Sequence, residues 1–203
     1  MHKSIRVLRD EHRSIAAVLH GLQHLARAAQ DPGVRPEFEV FRAMIYYIDA
    51  FPERQHHPKE DDYLFAHVAR RAPQVAALVD ELRAEHVKGA QLVRDLERAL
   101  LEFEQSWPRG AGAFAAAVDE YAELHWEHMR KEEHELLPLA EQHLTAEDWG
   151  EIDAAFAENV DPLSDLEPEG EFAKLYTRIV TLAPAPIGLG ESWRRGAGAA
   201  WGR

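Results

Sequence analysis

The chain has 203 residues, no cysteine and a formal net charge of −13. Without thiols it can form no disulfide, iron–sulfur cluster or thiolate zinc site, so any metal it binds must use nitrogen and oxygen ligands. The acidic balance repels phosphate backbones and argues against a nucleic-acid partner, and no apolar run approaches the ~20 residues that cross a bilayer.

The start, Met1-His2-Lys3-Ser4-Ile5-Arg6, leads directly into an amphipathic stretch with no apolar leader core. The expectation is a soluble, cytoplasmic globular protein that makes no membrane contact. Leu8, His12, Ile15, Leu19 and Leu22 form one stripe of a first helix, roughly residues 4–29, which Asp31-Pro32-Gly33 breaks. Phe38, Phe41, Ile45 and Ile48 begin a second helix whose face continues through His56, Glu60 and Leu64 to the turn at Ala72-Pro73. A third runs from Val75 through Val79, Leu82, His86, Val93, Leu96 and Leu100 to Phe103, and Trp107-Pro108-Arg109-Gly110 ends it. The fourth carries Phe114, Val118, Tyr121, His125, His128, Glu132, Leu136 and Leu139.

Four such helices with short connections predict an all-α fold, an antiparallel up-down-up-down four-helix bundle over residues 1–145. A capping box at Thr145-Ala146-Glu147-Asp148 opens a short helix carrying Trp149, Ile152 and Phe156, and Asp161-Pro162 closes it. A further helix is expected at about 169–182, making 146–182 a helical extension, followed by an extended Gly/Ala/Pro-rich tail over 183–203. Trp193 and Trp201 on that tail suggest packing on the bundle or on a second copy, a homodimer.

The apolar stripes turn polar at six places: His12, His56, Glu60, His86, His128 and Glu132. A buried carboxylate is costly unless paired or bound to metal. His56 and Glu60 are one helical turn apart, as are His128 and Glu132, so each pair shares a helix face. The pattern also repeats. Glu11-His12 is followed 44 residues on by His56-x-x-Lys59-Glu60-x-x-x-Leu64, and Glu85-His86 is followed 42 residues on by His128-x-x-Lys131-Glu132-x-x-x-Leu136. Two hairpins offering one lone histidine and one HxxxE pair each suit two equivalent metal ions, with the glutamates placed to bridge them. Imidazole with carboxylate suits iron, manganese, zinc or cobalt. A ferritin-like site would need two Glu-x-x-His motifs, and Glu53-Arg54-Gln55-His56 is unpartnered.

These residues resemble the hemerythrin-like proteins with an HHE cation-binding domain. The likeness rests on Leu8-Arg9-Asp10-Glu11-His12, on His56-His57-Pro58-Lys59-Glu60-Asp61-Asp62-Tyr63-Leu64-Phe65, on Glu85-His86 and on His128-Met129-Arg130-Lys131-Glu132-Glu133, and it spans about residues 1–145. It implies two iron ions bridged by oxygen and by the two carboxylates, with manganese or zinc as substitutes. Members of the family bind dioxygen reversibly, or sense oxygen, iron or nitric oxide. Two local departures matter. Pro58 disfavours helical geometry at His57, so His57 is the alternative to His56 as ligand, His56 being the one that aligns with His128. Marine-type hemerythrins also resemble this pattern but take one more histidine from an HxxxH on the third helix. Here Ala90 occupies that position, and His125 either fills the gap or hydrogen-bonds from behind the ligands. The implied function is binding or sensing of dioxygen or a related small ligand at an open iron position. The alternatives are a di-iron enzyme acting on peroxide or nitric oxide, iron storage or handling, and a plain structural bundle.

Overall fold

A computed structural model of the chain describes residues 2–159. The expected helix at 169–182, the tail, Trp193 and Trp201 all lie outside these residues. Among the described residues the molecule is all-helical, with five helices and no strand, as the periodicity predicts. None of these helices is long and apolar enough to cross a membrane.

Helix α1 spans Lys3–Ala28. Helix α2 starts as Phe38–Ile48, widens to a π-helix over Asp49–His56, tightens through His57–Lys59, widens again over Glu60–Phe65 and ends as Ala66–Arg71. Helix α3 spans Ala76–Ser106, and α4 runs as Ala111–Lys131, π-helical Glu132–Leu136 and Leu137–His143. Proline explains part of the widening. Pro52 and Pro58 have no N–H for the four-back carbonyl and their rings push it aside. Pro138, two residues past the α4 widening, does the same there. Against the expectation from Pro58, His57 keeps helical angles, φ −57° and ψ −42°. The register change is spread over two π segments instead. A π segment begins at Glu60 and another at Glu132, equivalent positions of the two HxxxE motifs; such widenings recur at functional sites.

Side-chain pairings fix how the helices lie. On α1 and α4, Gln23 Nε2 donates to Asp119 Oδ1 (2.8 Å), while His12 meets Glu133 (2.9 Å). On α2 and α3, Arg42 donates to Glu104 (2.6 Å) and Arg83 to the Asp61 carbonyl (3.1 Å). The α3–α4 turn is tight: a Cβ at Gly110 would sit 2.5 Å from the Phe103 Cα, so only glycine fits.

Two apolar cores fill the ends of the bundle. The larger holds Leu19, Leu22, Phe41, Leu96, Phe103 and Phe114; the smaller holds Ile5, Leu8, Phe65, Leu82, Leu136 and Trp149. Each such fully buried side chain contributes roughly 1.5–3 kcal/mol of transfer free energy. The polar residues of the stripes lie between these cores.

The predicted capping box is present at α5, Ala146–Phe156: Asp148 N donates to Thr145 Oγ1, and Thr145 N donates to Asp148 Oδ2. Asp148 also accepts from Arg70 and Arg71, each at 2.7 Å, which ties α5 to the end of α2. The Arg71 bond is the largest effect on the Asp148 carboxyl and, with bonds from Thr145 and His67, outweighs its burial and holds it well below the usual range.

Candidate metal centre

Six sequence-predicted residues and His57 converge in the bundle interior, none more than 6% exposed. Two groups form. His12, His56, Glu60 and Glu132 have ligand-capable atoms within 4.8 Å of one another, and so do His57, Glu60, His86 and His128. His56 falls in the first group and His57 in the second, because adjacent helical residues point about 100° apart. His125 joins neither.

The carboxylates span the two groups. Glu60 Oε1 lies 3.1 Å from His56 Nε2 and its Oε2 lies 3.4 Å from His86 Nε2. Glu132 Oε2 lies 3.2 Å from His12 Nε2 and its Oε1 lies 3.5 Å from His128 Nε2. All four of these oxygens are buried without a hydrogen-bond donor, as is His12 Nε2. His86 Nε2 and His128 Nε2 face each other at 3.0 Å. So many buried acceptors pointing at one another is a costly arrangement for protein groups alone. It fits cations in the middle.

Behind each histidine stands another carboxylate. His56 Nδ1 lies 2.8 Å from Glu11, His86 Nδ1 3.2 Å from Asp61, His128 Nδ1 3.0 Å from Glu85 and His12 Nδ1 2.9 Å from Glu133. The pattern is cyclic: each of α1 to α4 supports the histidine of the next, and α4 supports α1. At His12, His56 and His128 the carboxylate hydrogen-bonds Nδ1, fixes the proton there and turns the Nε2 lone pair inward, as metal-binding histidines require, whereas Asp61 faces His86 Nδ1 outside hydrogen-bond geometry. Glu85 is held in turn by Lys131, and Glu11 accepts from Asn159 Nδ2 at 2.9 Å.

This outer ring was not assigned from sequence, although its signal was present. Glu11-His12 and Glu85-His86 are part of the repeat, and Asp61 and Glu133 directly follow the two ligand-type glutamates. A neighbour in sequence faces the adjacent helix, so its partner is visible only once the order of helices around the bundle is known. Glu53, three residues before His56 in the sequence, lies one turn before His57 and 3.5 Å from its Nδ1.

The excess of carboxylate draws protons to the imidazoles. Burial pushes His56 down, but the Glu60 charge, the bond to Glu11 and the closeness of Glu60 outweigh it and lift it to about 9. His86 rises to about 10, burial being outweighed by Asp61 and Glu60. His12 is raised against burial by Glu132, Glu133 and Glu60. Glu60 is held well below the carboxylate range, its burial outweighed by the charge of His56 and by the closeness of His12, His56 and His86. The site attracts positive charge.

A helical bundle with a buried histidine–carboxylate cluster of this kind defines a cation-binding protein. A family model for the hemerythrin HHE cation-binding domain matches residues 3–140, and the chain belongs to that family. No curated protein matches the chain. Helix α5 and Asn159 lie beyond the matched residues.

Proposed function

We propose that the protein binds two iron ions and uses them to bind or sense dioxygen or a related small ligand. The cation-binding family supports the metal; the donor chemistry supports iron, since mixed imidazole and carboxylate suit it. His12 and His56 would hold one ion, His86 and His128 the other, and Glu60 and Glu132 would each give one oxygen to either side. His57 lies beside the second position. The side-chain pairings described above, with residue numbers rising on one helix as they fall on its neighbour, support an antiparallel up-down-up-down course for the four long helices.

The observation that carries the reading is the pair of carboxylates whose oxygens are buried with no donor, each spanning two sets of histidines. When bound, iron supplies a redox-active centre with coordination positions beyond those the protein fills. The chain's own work is to hold the imidazoles in one tautomer through the outer carboxylates, to neutralise the ions with Glu60 and Glu132, and to exclude bulk water with the two apolar cores. Burial of the whole cluster favours a ligand of a few atoms over an organic substrate.

Iron content and optical spectra of the protein, aerobic and after reduction, test this. The expected result is two irons per chain and a visible spectrum that changes on reduction and returns with oxygen or responds to nitric oxide. A single zinc, no metal, or a spectrum indifferent to both gases overturns the reading.

A further inference from the structure

Helix α5 and Asn159 follow the residues that match the family, 3–140, yet they meet the metal centre from one end. Asn159 Nδ2 donates to Glu11 Oε1 at 2.9 Å, and the other oxygen of Glu11 lies 2.8 Å from His56 Nδ1. Glu11 is buried, so losing either partner leaves an acceptor short of a donor. Lys59, the residue before Glu60, donates from Nζ to the Ala155 carbonyl at 2.7 Å. Ala155 is in the last turn of α5, where the end carbonyls and the helix dipole favour a cation.

The apolar face makes a third link. Trp149, Ile152 and Phe156 share the smaller core with Leu8, Leu64 and Phe65, and the Phe65 ring stacks on His86 with centroids 5.4 Å apart. The start of α5 is held by groups away from the cluster. Asp148 accepts from Arg70 and Arg71, and Asp153 accepts from the Ser4 N–H at 2.7 Å. Only the last turn and Asn159 bond to residues that border the ligand-type side chains.

Those bordering residues depend on the state of the site. A cation between the carboxylates fixes His56 and Glu60, and with them Glu11 and the short stretch that carries Lys59. Once the cation leaves, protons and water must take over the buried oxygens of Glu60 and Glu132, and the side chains of 56–60 rearrange to admit them. A helix end with few anchors opens at lower free energy than the core beneath it. The same two bonds, Lys59 to Ala155 and Asn159 to Glu11, therefore hold best when the site is filled.

Resting on the metal pair inferred above, we propose that the last turn of α5, with Asn159, is a latch sensitive to occupancy of the site. It is docked when the pair is loaded and opens when the pair is stripped, so the state of a buried centre is displayed at the surface, where Glu158 on the same turn is exposed. The coupling is reciprocal: what holds the latch closed also tightens metal binding, and by the same factor.

Hydrogen–deuterium exchange of the full chain at neutral pH, stripped with chelator or loaded anaerobically with Fe(II), reads the latch by mass spectrometry of its peptides. Loading is expected to slow exchange over residues 152–159 at least about 5-fold, the lower end of the usual coupling between two sites. In a double variant, Lys59→Met with Asn159→Ala, saturated with iron, that slowing is expected to be largely lost. Peptides of α3 should keep theirs, which shows that the variant is folded and loaded. Equal exchange of 152–159 in stripped and iron-bound wild type overturns the latch and leaves the pair intact. Full slowing retained in the double variant also overturns it, because the helix is then steadied through the core alone. Wild type that binds no iron removes the pair and the latch together.

Discussion

The hairpin of α1 and α2 and the hairpin of α3 and α4 repeat one design and then depart from it. His12 matches His86, His56 matches His128, Glu60 matches Glu132, and Glu11 matches Glu85 in supporting the histidine of the following helix. Against Ile15, His57 and Glu53 of the first hairpin, the second has Gly89, Met129 and His125. The matched residues surround a pair of equivalent positions. Of the unmatched ones, Glu53, His57 and His125 gather together, with Glu53 and His125 packed closely against Gly89. Symmetry thus accounts for the paired site, and departure from symmetry marks the place where this chain adds something of its own.

The strongest way to break the comparison is to remove one of the two central carboxylates. Glu60→Ala and Glu132→Ala should each lose nearly all bound iron, measured as metal per chain, because each glutamate faces both groups. If the hairpins are equivalent the two losses match; a large difference would show one glutamate serving a single ion. Phe114→Ala, in the larger apolar core, should cost about 3–5 kcal/mol in denaturant unfolding and leave the metal count unchanged, since that core lies away from the cluster.

Stripping the metal comes next. Holo protein should be more stable by about 4 kcal/mol when metal is a thousandfold above its Kd, read as a shift in Tm. The pH dependence follows from the raised imidazoles. His56 at about 9 and His86 at about 10 exceed the free value of 6.5. In stripped protein their contribution is fully present below 6.5 and is lost as pH rises through 9 to 10. On the proposed reading a bound metal replaces those protons, so the gap in Tm between loaded and stripped protein should widen from pH 7 to pH 10. Thermal melts across that range check it, and a constant gap contradicts it.

A smaller effect tests the outer ring. Glu11→Ala and Glu85→Ala should each weaken metal binding about 10- to 100-fold, because His56 and His128 lose the carboxylate that fixes their tautomer. Smaller still, Asn159→Ala should weaken it by a few-fold, since Asn159 acts only by holding Glu11. Competition with a chelator of known affinity measures all three. Equal effects of Asn159→Ala and Glu11→Ala would mean that Glu11 depends wholly on the segment after α5.

Much of this was legible in the sequence because it is periodic. The stripe of Leu8, His12, Ile15 and Leu19 located α1 and its polar break, and the doubled HxxxE located the paired site. The capping residues Thr145 and Asp148 announced α5. What was not legible depends on the order of helices around the bundle. The exchange of outer carboxylates between neighbours, the grouping of Glu53 with His125 and the contact from Asn159 to Glu11 join residues on different helices, with no local spacing to reveal them. The π segments were hidden for another reason. Proline predicts a lost hydrogen bond at Pro58, and the structure spreads the consequence over a longer stretch, so that His56 and His57 both face inward.

Diffraction from crystals of the iron-loaded protein, with anomalous differences collected at the iron edge, tests the central claim most directly. Two strong peaks are expected on opposite sides of the Glu60 and Glu132 carboxylates, one beside His12 and His56 and the other beside His86 and His128. A single peak, or none between those carboxylates, would contradict it.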